Sequence, residues 1–405
     1  MSRGGRPLPT LVVALALALG SAVSLGLARF SFAMLLPPMR ADLGWSYLVA
    51  GTMNTANAAG YLAGALLAPV WLRALGTRGA FLAGTAATAA FVAAHGLTVA
   101  DAPLYAFRFL SGLVSAVAFV AGGLLAAQLV GAAPASPGRA APTAGLVLGI
   151  YYGGAGLGIV VSAVGVPLLA ARAEAHAWQD AWLALGALGA VVTVAIAAAT
   201  RGPVLGAPPS GGAGATLAGF AWRRFAPALF AYLMFGLGYI GYMTFIVTLL
   251  REQRVPERDV IAFYALLGVA VAVSPWLWAR MLQRFRGGES LAILSALLAI
   301  ATLLPVLSTR PLAAFASGLL FGAVFLSLVT STTALVRHNL PAALWAQGIA
   351  AFTIMFAAGQ IVGPALVGFV ADRAGGLRAG LACSAAVLAL GALAGWRQKP
   401  IALER

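Results

Sequence analysis

The stretch LYAFRFLSGLVSAVAFVAGGLLAA, residues 104–127, decides the fold. It is apolar over a length that crosses a bilayer, yet it contains the positively charged Arg108. An arginine near the centre of a membrane helix costs about 2.5–3.5 kcal/mol on insertion scales. Ser111, Gly112 and Ser115 follow three, four and seven residues later, so they share a helix face with Arg108. We therefore expect this helix to turn Arg108 toward a protein interior or a water-filled cavity.

The composition is that of a membrane protein. Of the 405 residues, 62% are hydrophobic and 9% are charged, whereas soluble domains carry about 25% charged residues. The net charge of +15 comes from basic residues scattered singly or in pairs between apolar runs, which argues against a nucleic-acid partner. The single Cys383 excludes a disulfide within the chain, and the three histidines are not at metal-ligand spacing. We expect no metal and no cofactor.

Twelve apolar segments have bilayer length, and they predict an all-α membrane protein. The predicted spans are residues 10–36, 46–70, 79–98, 103–129, 143–169, 180–200, 225–250, 260–282, 289–307, 312–335, 345–370 and 378–396. The longest polar break, 201–224, is rich in Gly, Pro and Ser, and predicts a flexible linker. This linker would separate an N-terminal six-helix bundle, 1–200, from a C-terminal six-helix bundle, 225–405.

The basic residues predict the orientation in the membrane. With the N-terminus inside, the inner segments hold nearly twice as many Lys and Arg as the outer segments. The inner set includes Arg3, Arg6, Arg139 and Arg405, and the outer set includes Arg172. An even number of spans then places both termini, and the linker, in the cytoplasm.

A faint internal repeat relates the two predicted bundles. Gly26-Leu-Ala-Arg29 in span 1 aligns with Gly236-Leu-Gly-Tyr239 in span 7, an offset near half the chain length. Parallel halves with a binding site between them are a recurrent transporter design. The alignment places Tyr239 at the position that corresponds to Arg29.

Several motifs carry a family resemblance over essentially the whole chain. They are Leu104-x-x-x-Arg108-x-x-x-Gly112-x-x-x-Ala116 in span 4, Gly149-Ile-Tyr-Tyr-Gly153-Gly154-Ala-Gly156-Leu-Gly158 in span 5, Arg29-Phe30-Ser31-Phe32 in span 1 and Gly359-Gln360-x-x-Gly363-Pro364 in span 11. On these motifs the chain resembles the major facilitator superfamily, and within it the bacterial YbfB/YjiJ-type branch. It departs from the pattern at Gly154, where a proline is usual, and in the loop 68–79, which lacks the usual Asp.

The resemblance implies a multi-pass transporter of the bacterial inner membrane. Two six-helix bundles would rock about a site near the midplane and open it to each side in turn, with spans 1, 4, 7 and 10 lining the cavity. The resemblance links Arg108 to gating or coupling. We expect a monomer without enzymatic activity.

Arg29 and Arg108 are the strongest clue to the substrate. Both lie within spans, and no Asp or Glu lies mid-span to neutralise them. Two buried charges of one sign repel each other, and an anion would relieve that repulsion. We therefore predict a small organic anion, such as a carboxylate, as the substrate. The absence of a membrane carboxylate also argues against the common proton relay, so coupling would use an exchanged anion or a proton carried by the substrate.

Other polar and aromatic residues share the faces that could meet such a substrate. The predicted substrate-binding set is Arg29, Arg108, Asn54, Asn57, Tyr151, Tyr152, Tyr239, Tyr242 and Gln360. The predicted gating and helix-packing set is Gly112, Gly149, Gly153, Gly154, Gly158, Gly363 and Pro364, because small residues let helices approach and slide. Each has a simpler interpretation: Arg29 could snorkel outward, the amides could only join helices, and the aromatic stripes could only pack.

Two alternative functions remain open. An efflux transporter for amphiphilic drugs would suit the aromatic stripes, but the missing acids disfavour it. A receptor or lipid-handling protein on the same scaffold would need a soluble domain or a catalytic cluster of His, Asp, Glu or Cys, and the sequence contains neither.

Overall fold

The computed structural model describes residues 9–131, 143–170, 174–201 and 220–401, and over these ranges the chain is helical with short connections. The membrane helices are α1 Thr10–Leu43, α2 and α3 within Tyr47–Leu97, α4 Asp101–Gly131, α5 Ala144–Ala170, α6 Trp178–Ala199, α7 Trp222–Glu252, α8 Glu257–Arg284, α9 Glu289–Leu307, α10 Pro311–Asn339, α11 Trp345–Arg373 and α12 Gly376–Trp396. The all-α fold predicted from the apolar runs is confirmed. Five of the basic residues that contribute to the predicted orientation lie outside the described residues: Arg3, Arg6, Arg139, Arg172 and Arg405.

Eleven continuous helical segments among the described residues are long and apolar enough to span a membrane, against twelve predicted spans. The difference arises at Gly76, inside the 51-residue segment Tyr47–Leu97. Gly76 has φ 68° and ψ 169°, which is not a helical conformation. Glycine adopts it readily because it has no Cβ that would clash with the backbone. The chain therefore turns at Gly76, and the helices on either side, α2 over residues 47–75 and α3 over residues 77–97, correspond to the second and third predicted spans.

The helices run alternately up and down, and their connections meet at two ends. We call proximal the end where α1 begins and α12 finishes, and distal the opposite end. At the proximal end, the Arg78 guanidinium donates to the Thr200 carbonyl at 2.9 Å, which joins the start of α3 to the end of α6. At the distal end, the Trp45 indole donates to the Asp101 carboxylate at 2.8 Å. With the predicted orientation, the proximal end is cytoplasmic.

Helices α1–α6 and α7–α12, here called the first and second halves, make their most extensive contacts in two helix pairs. In the α5–α8 pair, a Cβ at Gly156 would collide with the Gly268 carbonyl, and in the α2–α11 pair, a Cβ at Gly51 would collide with the Pro364 carbonyl. Glycine at these positions lets the backbones touch. The predicted boundaries, 1–200 and 225–405, stay a prediction, and most of the linker 201–224 lies outside the described residues.

The halves are joined tightly at the distal end. The Asp372 carboxylate, in the last turn of α11, accepts hydrogen bonds from the backbone N–H groups of Tyr47 and Leu48 at 3.0 and 2.8 Å. The Tyr47 hydroxyl donates to Glu252, at the end of α7, at 2.6 Å, and Glu252 also lies 3.7 Å from Arg40. The first and second halves are therefore latched together at this end.

Candidate functional site

The region around Arg29 has an unusual backbone. Residues Ala22–Phe30 form a π-helix of nine residues inside α1. π-helical turns are rare in proteins, and those that occur are frequently found at functional sites. A Cβ at Gly26 would collide with the backbone of Gly158, so α1 and α5 touch where α1 widens.

Two carbonyls of the π-helix accept side-chain donors from other helices. The Arg108 Nη1 of α4 donates to the Ala28 carbonyl at 3.0 Å. The Tyr264 hydroxyl of α8, in the second half, donates to the Phe30 carbonyl at 2.7 Å. These two bonds fix the π-helix, and therefore Arg29, between the two halves.

Arg29 lies in the interior and is only partly satisfied. Its side chain is 4% exposed, and its Nη2 donates to the Gln360 Oε1 of α11 at 2.5 Å. Its Nε is buried without a hydrogen-bond partner among the described residues, and the Tyr61 ring lies 5.3 Å from the guanidinium carbon. No carboxylate of the described residues pairs with it. A guanidinium carries five N–H donors, so the charge and several donors remain for a ligand.

Arg108 is equally buried but well satisfied. Besides Ala28, its guanidinium donates to the Asn54 Oδ1 at 2.7 Å and to the Met53 carbonyl at 3.4 Å, and it stacks on the Phe32 ring at 4.3 Å. The helix therefore turns Arg108 inward, as the small polar face of α4 predicts. These contacts tie α1, α2 and α4 together and leave this guanidinium with less capacity for a substrate.

The two asparagines of α2 connect helices. The Asn57 amide donates to the Arg108 carbonyl at 3.0 Å and to the Ser111 hydroxyl at 3.2 Å, within the first half. The Asn54 amide donates to the Thr244 hydroxyl of α7, in the second half, at 2.6 Å. Asn54 thus extends the Arg108 network across the interface, which the spacing in the sequence does not reveal.

Tyr239 belongs to a stack of aromatic rings in the second half. Its ring is nearly parallel to those of Phe235, Phe325 and Phe356, with centroids 4.9, 4.9 and 5.5 Å away. The rings come from α7, α10 and α11. Sequence reasoning selected Tyr239 but not Phe325, although the resemblance placed span 10 at the cavity.

The other three predicted tyrosines differ in position. The Tyr151 hydroxyl donates to the Phe119 carbonyl at 2.6 Å, and the Tyr242 hydroxyl shares a hydrogen bond of 2.6 Å with Ser317. Both are buried and bonded within their own half. Tyr152 is half-buried, and its ring lies edge-on to Tyr151 at 5.2 Å. A substrate role for these tyrosines stays a prediction.

The predicted gating residues lie at close helix contacts. On α5, Gly149 and Gly153 face α8, whereas Gly154 and Gly158 face α1. Outside α5, a Cβ at Gly112 would collide with the Asn57 carbonyl, and one at Gly363 with the Leu237 carbonyl. Pro364 contacts Gly51 across the interface of the halves. Gly154, which replaces a usual proline, therefore gives α1 a close approach to α5.

Comparison with known proteins places the chain among transporters. Residues 21–395 match the family described as "Uncharacterised MFS-type transporter YbfB". No curated protein sequence matches the chain significantly. Several solved structures are similar over nearly the whole chain, at 15–16% identity.

Three of these structures show the likeness. A bacterial homologue of the human lysosomal transporter Spinster, inward-facing and unoccupied, has a TM-score of 0.72 at 16% identity, over 97% of this chain and 98% of that chain. The nucleoside transporter NupG has a TM-score of 0.70 at 15% identity, over 96% and 100%. The human organic anion transporter MFSD10 has a TM-score of 0.58 at 15% identity, again over 96% and 100%. At these identities the likeness concerns the fold.

Proposed function

The chain belongs to the YbfB-type family of major facilitator superfamily transporters, and on that premise we propose that it is a secondary transporter of a small organic anion, such as a carboxylate. One observation carries the proposal: Arg29 is buried between the two halves with no carboxylate partner among the described residues. One of the similar structures is described as an organic anion transporter.

The environment of Arg29 favours an anion over a cation or a neutral compound. Removing a charge from water costs several kcal/mol unless an opposite charge or several hydrogen bonds compensate. Arg29 has one hydrogen bond to Gln360 among the described residues, and its Nε has none. A carboxylate could occupy the planar fork of the guanidinium with two parallel hydrogen bonds.

The position of Arg29 suits alternating access. Its present partner, Gln360, belongs to the second half, so an anion bound at Arg29 would contact both halves. The Gln360 side chain also carries an NH₂ group that could donate to the anion after rotation. Binding would therefore change the contacts between the halves, which is the requirement for a ligand that shifts a conformational equilibrium.

Arg108 would support this site indirectly. Its hydrogen bonds to Ala28, Met53 and Asn54 hold the helix that carries Arg29. Coupling would follow from exchange of one anion for another, or from a proton carried by the anion. Efflux of amphiphilic drugs, including cationic ones, is the second candidate. The aromatic stack favours it, but the unpaired positive charge of Arg29 would repel cationic cargo.

A thermal-shift screen tests the substrate class. Purified protein would be heated with carboxylates, phosphates, sulfonates and cationic drugs, and hits would be measured again by uptake or exchange in proteoliposomes. We expect one class of anion to stabilise the wild type and to be transported, because a ligand that binds only the folded protein raises its melting temperature. Exclusive stabilisation and transport of cations or neutral compounds would refute the proposal.

Two variants locate the site. Arg29→Gln removes the charge at the proposed site and should abolish the stabilisation by the anion. Arg337→Gln is the matched control, because Arg337 also lies near an aromatic ring, that of Trp345 at 5.2 Å, but near the proximal end of α10. The control should respond to the anion as the wild type does. An unchanged response of Arg29→Gln would remove Arg29 from the site.

A further inference from the structure

The aromatic stack includes Phe356, a neighbour of Gln360, which is the hydrogen-bond partner of Arg29. Phe356 lies nearly parallel to Tyr239, Phe235 and Tyr232, at interplanar angles of 11°, 19° and 20°. Centroid distances in this group are 5.0–5.5 Å. Parallel, offset rings at such distances form a layered surface of π faces.

Phe356 and the hydrogen-bond partner of Arg29 share one face of α11. Gln360, which accepts the hydrogen bond from Arg29, lies four residues after Phe356 on α11, so the two side chains are neighbours one helical turn apart. Phe356 is half-buried, whereas Tyr239 and Phe235 behind it are almost completely buried. The stack therefore includes a partly accessible ring one helical turn from the residue that binds Arg29.

The first half also supplies an aromatic residue next to Arg29. The Tyr61 ring of α2 lies 5.3 Å from the Arg29 guanidinium carbon and is half-buried. A ligand bound at Arg29 would meet a positive charge with the Tyr61 ring beside it. The Phe356 ring would lie one helical turn along α11 from Gln360.

We propose that the transported anion is aromatic, with a planar ring that stacks on Phe356 while its carboxylate binds Arg29. This inference rests on the proposed function, since it specifies the ligand of the same site. A flat ring can continue a layered stack, whereas a saturated ring of the same size is puckered and offers no π face. The guanidinium adds attraction toward an aromatic ring that it does not exert on an aliphatic one.

Matched pairs of ligands test the inference. Binding of benzoate is compared with that of cyclohexanecarboxylate, and naphthoate with its decahydro form, by calorimetry or by thermal-shift titration of the full-length protein. Each pair has the same charge and a similar size. Because ring stacking adds stabilisation beyond that of area burial, we expect the aromatic member to bind about three- to tenfold more tightly.

The variant Phe356→Leu removes the ring and keeps an apolar side chain. It should still bind both members of each pair, with the aromatic preference reduced to about one. Phe369→Leu is the control, because it makes the same change on the same helix, at a residue that is 44% exposed and lies more than three helical turns from Phe356. It should retain the wild-type preference.

The outcomes separate the inference from the proposed function. Equal binding of aromatic and saturated carboxylates, or a preference that survives Phe356→Leu, overturns the inference while anion binding upholds the proposed function. Binding of neither member, with a benzylamine cation bound instead, overturns both. An aromatic preference that is lost in Phe356→Leu and kept in Phe369→Leu supports both.

Discussion

The Asp372 carboxylate accepts a hydrogen bond from the backbone N–H of Tyr47 at 3.0 Å, which joins the last turn of α11 to the first turn of α2. The free N–H groups at a helix N-terminus carry partial positive charge, so a carboxylate from the other half acts there as a cap. The cap can exist only while the distal end is closed. Asp372 therefore stabilises one conformation of the transporter selectively.

Asp372→Asn should open the distal end more often. An amide can accept from one of the two backbone donors but has no charge, so we expect the closed state to lose about 1 kcal/mol, roughly a fivefold shift in population. Spin labels at Val99 and Arg310, in distal loops of the two halves, would report the change as a larger share of long distances in a Cys383→Ser background.

Asp259→Asn is the control for that measurement. Asp259 lies in the first turn of α8 near the same end, and its carboxylate is 3.6 Å from Arg258 of the same helix. It should leave the distance distribution unchanged. Identical distributions in wild type and Asp372→Asn would show that the cap does not hold the halves together.

Arg108→Met should destabilise the protein much more than Arg29→Met does. Arg108→Met leaves the Ala28 and Met53 carbonyls and the Asn54 side chain without their donor, at a cost of about 2–4 kcal/mol. Arg29→Met loses one hydrogen bond but also removes a buried charge that lacks an acidic partner, so the change should stay within about 1 kcal/mol.

Thermal unfolding in detergent, followed by intrinsic fluorescence, would compare these variants without ligand. The expected order is a clearly lower melting temperature for Arg108→Met and a melting temperature near that of the wild type for Arg29→Met. The reverse order would mean that Arg29 supports the fold and Arg108 holds the unsatisfied charge.

Tyr264→Phe should weaken the contact between the halves. Its hydroxyl crosses from α8 to the Phe30 carbonyl in the π-helix, and we expect its removal to cost the closed state about 1 kcal/mol. Tyr242→Phe also removes one buried hydrogen bond, but to Ser317 within the second half. Only Tyr264→Phe should change the distal distance distribution. Equal effects of both variants on that distribution would contradict the prediction.

Gly156→Ala should disturb the α5–α8 interface. The added methyl group would collide with the Gly268 carbonyl, a backbone atom that can move only with its helix, and we expect a loss of about 1–3 kcal/mol. Gly165→Ala, on the same helix, meets no neighbouring atom within 4 Å. It should be neutral or slightly stabilising, because alanine favours a helix over glycine.

Melting temperature and transport rate would both be measured for this pair. A loss of stability and transport in Gly156→Ala alone would assign the effect to the interface. If Gly156→Ala kept the melting temperature and transport rate of the wild type, α5 and α8 would be able to move apart without loss of stability.

The sequence predicted the helices well because each one is encoded locally. An apolar run of bilayer length is sufficient to identify a span, and the sequence also predicted that Arg108 turns inward along the face of Ser111 and Gly112. The break between α2 and α3 was also expected, since the second and third spans were predicted separately around Gly76.

Contacts between the halves could not be predicted in the same way. Arg29 and Gln360 were each selected, but their hydrogen bond joins residues 331 positions apart and depends on how α1 and α11 approach each other. The distal cap by Asp372 likewise depends on how α2 and α11 approach each other. Resemblance and helix periodicity indicate which face a residue occupies, whereas the partner across an interface follows from the packing of whole helices.

The π-helix of α1 has a consequence for how this helix tolerates changes in length. A π-helical turn holds more residues than an α-helical one, so deleting a single residue between Ala22 and Ala28 would allow the segment to return to ordinary α-helical geometry. Because a π-helical turn holds about one residue more than an α-helical turn, the two parts of α1 on either side of the deletion would keep nearly the same relative orientation. The deletion would therefore act mainly on the widened segment itself, whose Ala28 and Phe30 carbonyls accept the hydrogen bonds of Arg108 and Tyr264.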